Sequence, residues 1–286
     1  MTGSRKGSEP AVLMEGIGLG ESPRWHDGRL WFSDWVAQEV IALDAEGRSE
    51  VMAEVRLLPF SIDWLPDGPM LVTSGRQLLR MEPDGLLVTH ADLSELSDYG
   101  WNEIVVDGRG NTYVNNVEFD LMGGEDPRPG IIALVTPDGS ARQVADGIAF
   151  PNGMVVTADN STLIVAESYQ GRLTAFEIAE DGDLSNRRIW ADLGEGADGT
   201  CMDSDGAVWS PKFQSCVRVR EGGEVLERIE LDRFCFVCML GGDDGRTLFM
   251  NVADWTGTEG IFKEPRTGRV LAAPAPAPHA GYPRGI

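Results

Sequence analysis

Positive charge is scarce in this chain. Against 46 Asp and Glu residues it has 24 Lys and Arg, for a formal net charge of −22 and a pI near 4.4. That balance excludes nucleic acid and anionic membrane surfaces as partners and leaves small molecules and divalent cations. Long apolar runs are missing as well, and none approaches the roughly 20 residues needed to cross a bilayer. The stretch MTGSRKGSEP is polar, with no hydrophobic segment of a signal peptide. Residues 1–10 are therefore expected to form a disordered lead, residues 11–286 a single domain, and the protein to be cytoplasmic.

Histidine is rare: His26, His90 and His279 are scattered. A zinc site needs about four N or S ligands, so these offer little towards one. No Ser–His pair is visible, and neither GTEG nor GESP is a nucleophile elbow. There are four cysteines, Cys201, Cys216, Cys235 and Cys238. The last two have the CxxC spacing in CFVC, which can mean zinc or redox chemistry. They lie in the apolar run FCFVCML, where reduced thiols pack as small buried apolar groups. Convincing amphipathic helices are absent; only ADLSELSD hints at a helical turn.

What the chain does have is a repeat. An Asp-Gly or Asp-Asn turn precedes a short apolar run in HDGRLWFSDW, PDGPMLVTSG, VDGRGNTYVNN, ADNSTLIVAES, SDGAVWSPKF and DDGRTLFMNVADW. The second turn residues, Gly28, Gly68, Gly108, Asn160, Gly206 and Gly245, are 40, 40, 52, 46 and 39 residues apart. Such pairs suit turns with positive φ. A second strand follows in EVIALD, QLLRME, GIIALV, RLTAFEI, CVRVRE and GIFKE. Six units of about 40 residues with several strands each predict an all-β, six-bladed propeller rather than a sandwich or a pair of barrels. APAPAPHAGYP reads as an irregular closing loop.

In a propeller the innermost strand of each blade lines a central channel, so a site is assembled from residues far apart in sequence. Four polar residues break strand logic shortly before a turn. Glu21 in GLGESPRW, Asn102 in YGWNEIVVDG, Asn152 in FPNGMVVTADN and Asp198 in GADGTCMDSDG precede their turn residues by 7, 6, 8 and 8 positions. Near-equal offsets predict near-equal depth. Two converging carboxylates repel unless a proton or a cation intervenes. All-oxygen ligation suits a hard divalent ion, Ca²⁺ foremost, with Mg²⁺, Mn²⁺ or Zn²⁺ as alternatives. PNG and ADG are also ordinary turn tripeptides, so turn chemistry is the alternative for Asn152 and Asp198.

The segments LGESPRWHDGRLWFSDW, FPNGMVVTADNSTLIVAESYQGRLTAFEI and DGTCMDSDGAVW, in this order, resemble the senescence-marker-protein/gluconolactonase (regucalcin-like) family. The resemblance covers about residues 13–265. It implies a divalent metal in the channel, held by the Glu of a GE-x-P motif, the Asn of a PNG motif and the Asp of a DG-x-C-x-D motif. Those positions are Glu21, Asn152 and Asp198, with Asn102 beside the metal. It also implies hydrolysis of lactones or related cyclic esters, with Asp198 as the general base. One departure stands out. The Arg of the R-x-N motif before the channel Asn is replaced in Gly100-Trp101-Asn102. Trp101, Phe119, Phe150 and Trp255 are expected to form an apolar mouth instead, and Asn102, Trp101, Phe150 and, more weakly, Glu118 and Asn115 to meet the substrate. The missing Arg favours a second reading, phosphotriester or non-hydrolytic chemistry on a more apolar substrate; a third is a non-catalytic calcium-binding or interaction module.

Overall fold

The computed structural model describes residues 9–260 and 262–283, so residues 1–8 of the expected lead lie outside the described residues. Strand β1 (Ala11–Ile17) is followed by four strands of a first blade, β2 (Gly20–His26), β3 (Arg29–Asp34), β4 (Glu39–Leu43) and β5 (Ser49–Glu54). The second blade is β6 (Ile62–Trp64), β7 (Met70–Ser74), β8 (Gln77–Met81) and β9 (Leu87–Asp92). The third is β10 (Ile104–Val106), β11 (Thr112–Asn116), β12 (Gly130–Val135) and β13 (Ala141–Ile148). The fourth is β14 (Pro151–Val156), β15 (Thr162–Glu167), β16 (Arg172–Ile178) and β17 (Leu184–Asp192). The fifth is β18 (Cys201–Asp203), β19 (Val208–Pro211), β20 (Ser215–Val219) and β21 (Val225–Glu230). The sixth holds β22 (Phe234–Gly241), β23 (Thr247–Ala253) and β24 (Gly268–Pro274), and β25 (His279–Ala280) follows.

Each blade is an antiparallel meander, and six small sheets form a ring: the fold is a six-bladed β-propeller. The sixth blade is completed by β1, which pairs with β24 in the register Ala11↔Ala272 and Val12↔Leu271. Joining early and late strands in one sheet closes the ring and removes the open end that a linear array would leave.

The repeat turns work as their residues dictate. Asp27 and Gly28 between β2 and β3 have φ of 49° and 70°, the type I′ pattern whose twist matches a hairpin. Gly68, Asn160, Gly206 and Gly245 are also left-handed, but in the third blade that role falls to Gly110 rather than Gly108. GIFKE is not a strand: Phe262–Glu264 form a turn and bend, Ile261 lies outside the described residues, and β24 takes the pairing with β23.

The core is a series of apolar layers between neighbouring blades. Trp31, Val40, Phe60 and Ile62 fill the first interface, and Leu71, Leu78, Ile104 and Val114 the second. The largest layer joins the fifth, sixth and first blades and includes all four cysteines, buried and free. Removing one such Leu or Ile side chain is expected to cost about 2–5 kcal/mol. One end of the channel is closed by the APAPAPHAGYP segment. There β25 pairs with the inner edge of β18, and Tyr282 exchanges backbone hydrogen bonds of 3.0 and 2.7 Å with Val156. Val156 ends β14, so the end of the channel where β14 begins stays open. Among the described residues no helix is long and apolar enough to cross a membrane.

Candidate metal centre and channel mouth

Glu21 lies on β2, Asn152 on β14, and Asn102 and Asp198 just ahead of β10 and β18. All four line one cavity of about 880 Å³ at the open end of the channel. The local backbone is shaped to present them. The β2–β3 register slips between Glu21 and Arg24, and the β14–β15 register between Pro151 and Met154. Such bulges re-aim a side chain. Ser22, Phe150 and Ala197, which flank Glu21, Asn152 and Asp198, have φ of 49°, 60° and 95°. Left-handed backbone at a non-glycine residue costs on the order of 1–3 kcal/mol and persists where function or surrounding structure demands it. Gly153 supplies the close approach. A Cβ there would sit 2.6 Å from the Asp198 carbonyl oxygen, Gly199 Cα and Thr200 N, so the Asn152 and Asp198 segments touch backbone to backbone.

The hydrogen bonding leaves oxygens free. Asn102 donates its amide nitrogen to the Pro151 carbonyl at 3.2 Å, and Asn152 donates to Ser168 Oγ at 3.4 Å. Asn115 is fully buried and donates to the Asn152 carbonyl at 2.6 Å, so it braces Asn152 and does not face substrate. Asp198 Oδ1 is buried with no hydrogen-bond partner. Burial, then Asp198, Glu103 and Cys235, push the Glu21 carboxyl well above the usual carboxylate range. Burial and Glu103 do the same to Asp198, partly offset by the Gly199 amide. A buried carboxylate, Glu21, and a half-buried one, Asp198, both held against their own ionisation beside two amide oxygens, have the chemistry of a divalent-cation site: a 2+ ion would compensate both charges.

A third carboxylate nearby is already satisfied. Glu103 Oε1 accepts from Ser22 Oγ at 3.0 Å and Arg24 Nη2 at 3.2 Å. Arg24 also lies 3.5 Å from Asp63. Asp63, raised to about 6 by burial despite Arg24, belongs to this layer beneath the cavity. Among the described residues no group of three or more His, Cys, Asp and Glu is placed to hold a metal, so a cation here must draw on amide oxygen.

Residues 19–254 match the family described as SMP-30/Gluconolactonase/LRE-like region. The chain belongs to this family. It is 23% identical to regucalcin from Gallus gallus over 267 residues, which are 88% of this chain and 89% of that protein. It is 25% identical to pentonolactonase XacC from Haloferax volcanii over 256 residues, 84% and 83% of the two chains. The solved structure of a calcium-binding protein, regucalcin, from Agrobacterium tumefaciens superposes with a TM-score of 0.80 at 20% identity, covering 96% of this chain and 95% of that one.

Within this family framework the substrate-facing expectations divide. Asn102, Phe150, Phe119 and Trp255 line the cavity. Trp101 and Glu118 do not. Gly100 and Asn102 face the cavity in an extended segment, so the intervening Trp101 points the other way, fully buried in the layer with Leu71, Ile104 and Val114. Glu118 is likewise flanked by cavity-lining Val117 and Phe119 and is absent from the lining, with φ 63°. Several lining residues had escaped the sequence reading: Trp35, Tyr99, Tyr169, Phe213, Phe234, Cys235 and Phe236. A signal existed. Trp35, Phe119, Tyr169, Phe213 and Trp255 each fall in the loop after the second strand of a blade, so the aromatic recurs with the repeat.

Proposed function

We propose that the protein is a divalent-metal-dependent hydrolase of lactones or related cyclic esters. The observation that carries this reading is Asp198 Oδ1, buried, unpartnered and lining the same cavity as Glu21, Asn102 and Asn152. The pentonolactonase relative supports the reaction class, and the calcium-binding structure supports Ca²⁺ as the first ion to test.

Glu21, Asn152 and Asp198 would hold the cation, with Asn102 beside it. When bound, it supplies Lewis-acid polarisation of the ester carbonyl and acidifies water. Asp198 would take a proton from the attacking water on the carboxylate oxygen not engaged by the cation and return it to the ring oxygen as the acyl–oxygen bond breaks, giving the open hydroxy acid. A carboxylate beside a cation stays ionised at neutral pH, which suits a base. The Ser22–Glu103–Arg24 layer braces the backbone beneath Glu21. Four buried reduced thiols fit a reducing, cytoplasmic setting.

The experiment is a panel of lactones assayed with Ca²⁺, Mg²⁺, Mn²⁺ and Zn²⁺ and again with chelator. The expected result is metal-dependent ring opening. Metal binding without turnover on any lactone or ester would leave a calcium-binding protein instead.

A further inference from the structure

The mouth of the cavity holds two aromatic walls and, among its described lining residues, no cationic side chain; Lys263 and Arg266 line the smaller neighbouring pocket that shares Leu19, Phe236 and Trp255. On the side of the third and fourth blades, Phe119 packs on Phe150 at 5.9 Å between ring centroids and Phe150 stacks on Tyr169 at 4.6 Å. On the side of the fifth and sixth blades, Phe213 meets Phe234 at 5.7 Å, and Phe236 meets Trp255 at 5.7 Å. Tyr169 and Trp255, one in each wall, are 51% and 38% exposed.

The polar character of the lining points the same way. Among the described lining residues there is no Arg, Lys or His, while Asp98, Asp120 and Glu125 stand at the rim. Arg76 and Arg128 pair with Asp98 and Glu125 at 3.5 and 2.9 Å without themselves lining the cavity. At Gly100 a Cβ would meet Pro59 Cδ at 3.3 Å and the Leu58 carbonyl at 3.5 Å, a crowded position. Leu58 and Pro59 therefore occupy the space next to Asn102 with apolar surface. The volume, about 880 Å³, lies in the ~300–1,000 Å³ range of sites that enclose drug-sized ligands.

Resting on the hydrolase reading above, we propose that the substrate is an uncharged lactone or ester bearing a flat aromatic or bulky apolar group, held between the two walls while its carbonyl meets the oxygen donors. An aldonolactone would lay its hydroxyls against largely apolar ring faces, and a carboxylate- or sulfonate-bearing lactone would meet rim acids whose partners Arg76 and Arg128 are already engaged and lie outside the lining.

Two measurements test this separately from the hydrolase reading. In the first, binding of a non-hydrolysable aryl-substituted lactam to the metal-free protein is measured by titration calorimetry. The lactam is expected to bind at least tenfold more tightly than its carboxylate-bearing counterpart. Tyr169→Ala and Trp255→Ala, both at exposed positions that do not endanger the fold, should each weaken it at least threefold, and the double variant at least tenfold. In the second, kcat/KM for an uncharged aryl lactone should exceed that for gluconolactone at least tenfold, and the ratio should fall in the double variant. Equal binding of the neutral and anionic lactams, or equal binding to wild type and double variant, overturns the proposal. So does a higher kcat/KM for gluconolactone. If the lactam binds as expected and no lactone or ester is turned over with any metal, the hydrolase reading fails while the assignment of the cavity's ligand class stands.

Discussion

Asp198 and Glu21, from the fifth and first blades, are electrostatically coupled: after burial itself, the Asp198 carboxylate is the strongest influence driving the Glu21 carboxyl towards its neutral form. Among the described residues neither carboxylate is met by an Arg or Lys, whereas Glu103, on the next layer down, is paired with Arg24 at 3.2 Å. The channel thus separates a satisfied acid from two that call for a cation.

Glu21→Gln keeps the shape of the side chain and removes one of the two charges. Divalent-cation affinity should fall at least tenfold, since one decade corresponds to about 1.4 kcal/mol and a buried charge partner is worth more. Titration calorimetry on the two proteins gives the comparison; equal affinities would exclude Glu21 as a ligand.

Asp198→Asn separates ligation from proton transfer. The amide retains an oxygen donor but cannot accept the proton. With metal raised to saturation, kcat should remain lower by about 10²-fold or more, and the acidic limb of the kcat/KM profile should disappear or move. Recovery of near wild-type turnover at saturating metal would make Asp198 a ligand alone.

Chelation should stop turnover and leave the fold intact, because the apolar layers between blades, not one ion, hold the ring together. Circular dichroism after chelation should stay β-type, with a lower Tm that rises again with added cation by mass action. Cooperative unfolding at room temperature on adding chelator would contradict this.

Asp63 gives a pH dependence of stability. Its folded value, about 6, lies above the ordinary 3.8, so the fold favours the protonated form. That contribution is complete below about pH 4 and is lost as pH rises through about 6. Asn at this position imitates the protonated acid and does not titrate. Between pH 4 and 7 the stability difference should move in favour of Asp63→Asn by on the order of 2–3 kcal/mol, read from urea midpoints. Parallel curves for the two proteins would show that Asp63 does not titrate in this range.

Gly153→Ala probes the backbone contact that joins Asn152 to Asp198. The new methyl would lie 2.6 Å from three backbone atoms of the next blade, none of which is the end of a flexible side chain. Stability should fall by about 1–3 kcal/mol, and metal affinity should fall with it even though no ligand has changed. A variant that lost stability but bound metal normally would show that the contact does not set the site's geometry.

The sequence by itself determined the architecture and the polar residues at its centre. Asp-Gly and Asp-Asn turns at near-regular intervals carry local information: positive φ, a hairpin, a strand on either side. A repeat of such units admits few closed arrangements, so the six blades were readable before any coordinates. Glu21, Asn102, Asn152 and Asp198 were readable for the same reason, because equal offsets within a repeat become equal depth in a channel. Direction within a segment was not readable. Trp101 and Asn102 are adjacent, and only the pairing of Asn102 and Glu103 with Asn115 decides which of the two faces the cavity and which enters the blade interface. Glu118 next to Phe119 is a second instance. The aromatic walls also depend on tertiary structure. Tyr169 follows β15 and Phe150 precedes β14, and what makes them one surface is the return of the chain that brings their rings to 4.6 Å. The separation of Glu103 from Glu21 as a satisfied acid rests on Arg24, whose guanidinium crosses from the first blade to the third. Such a contact joins side chains from different repeats, and a one-dimensional pattern carries no record of it.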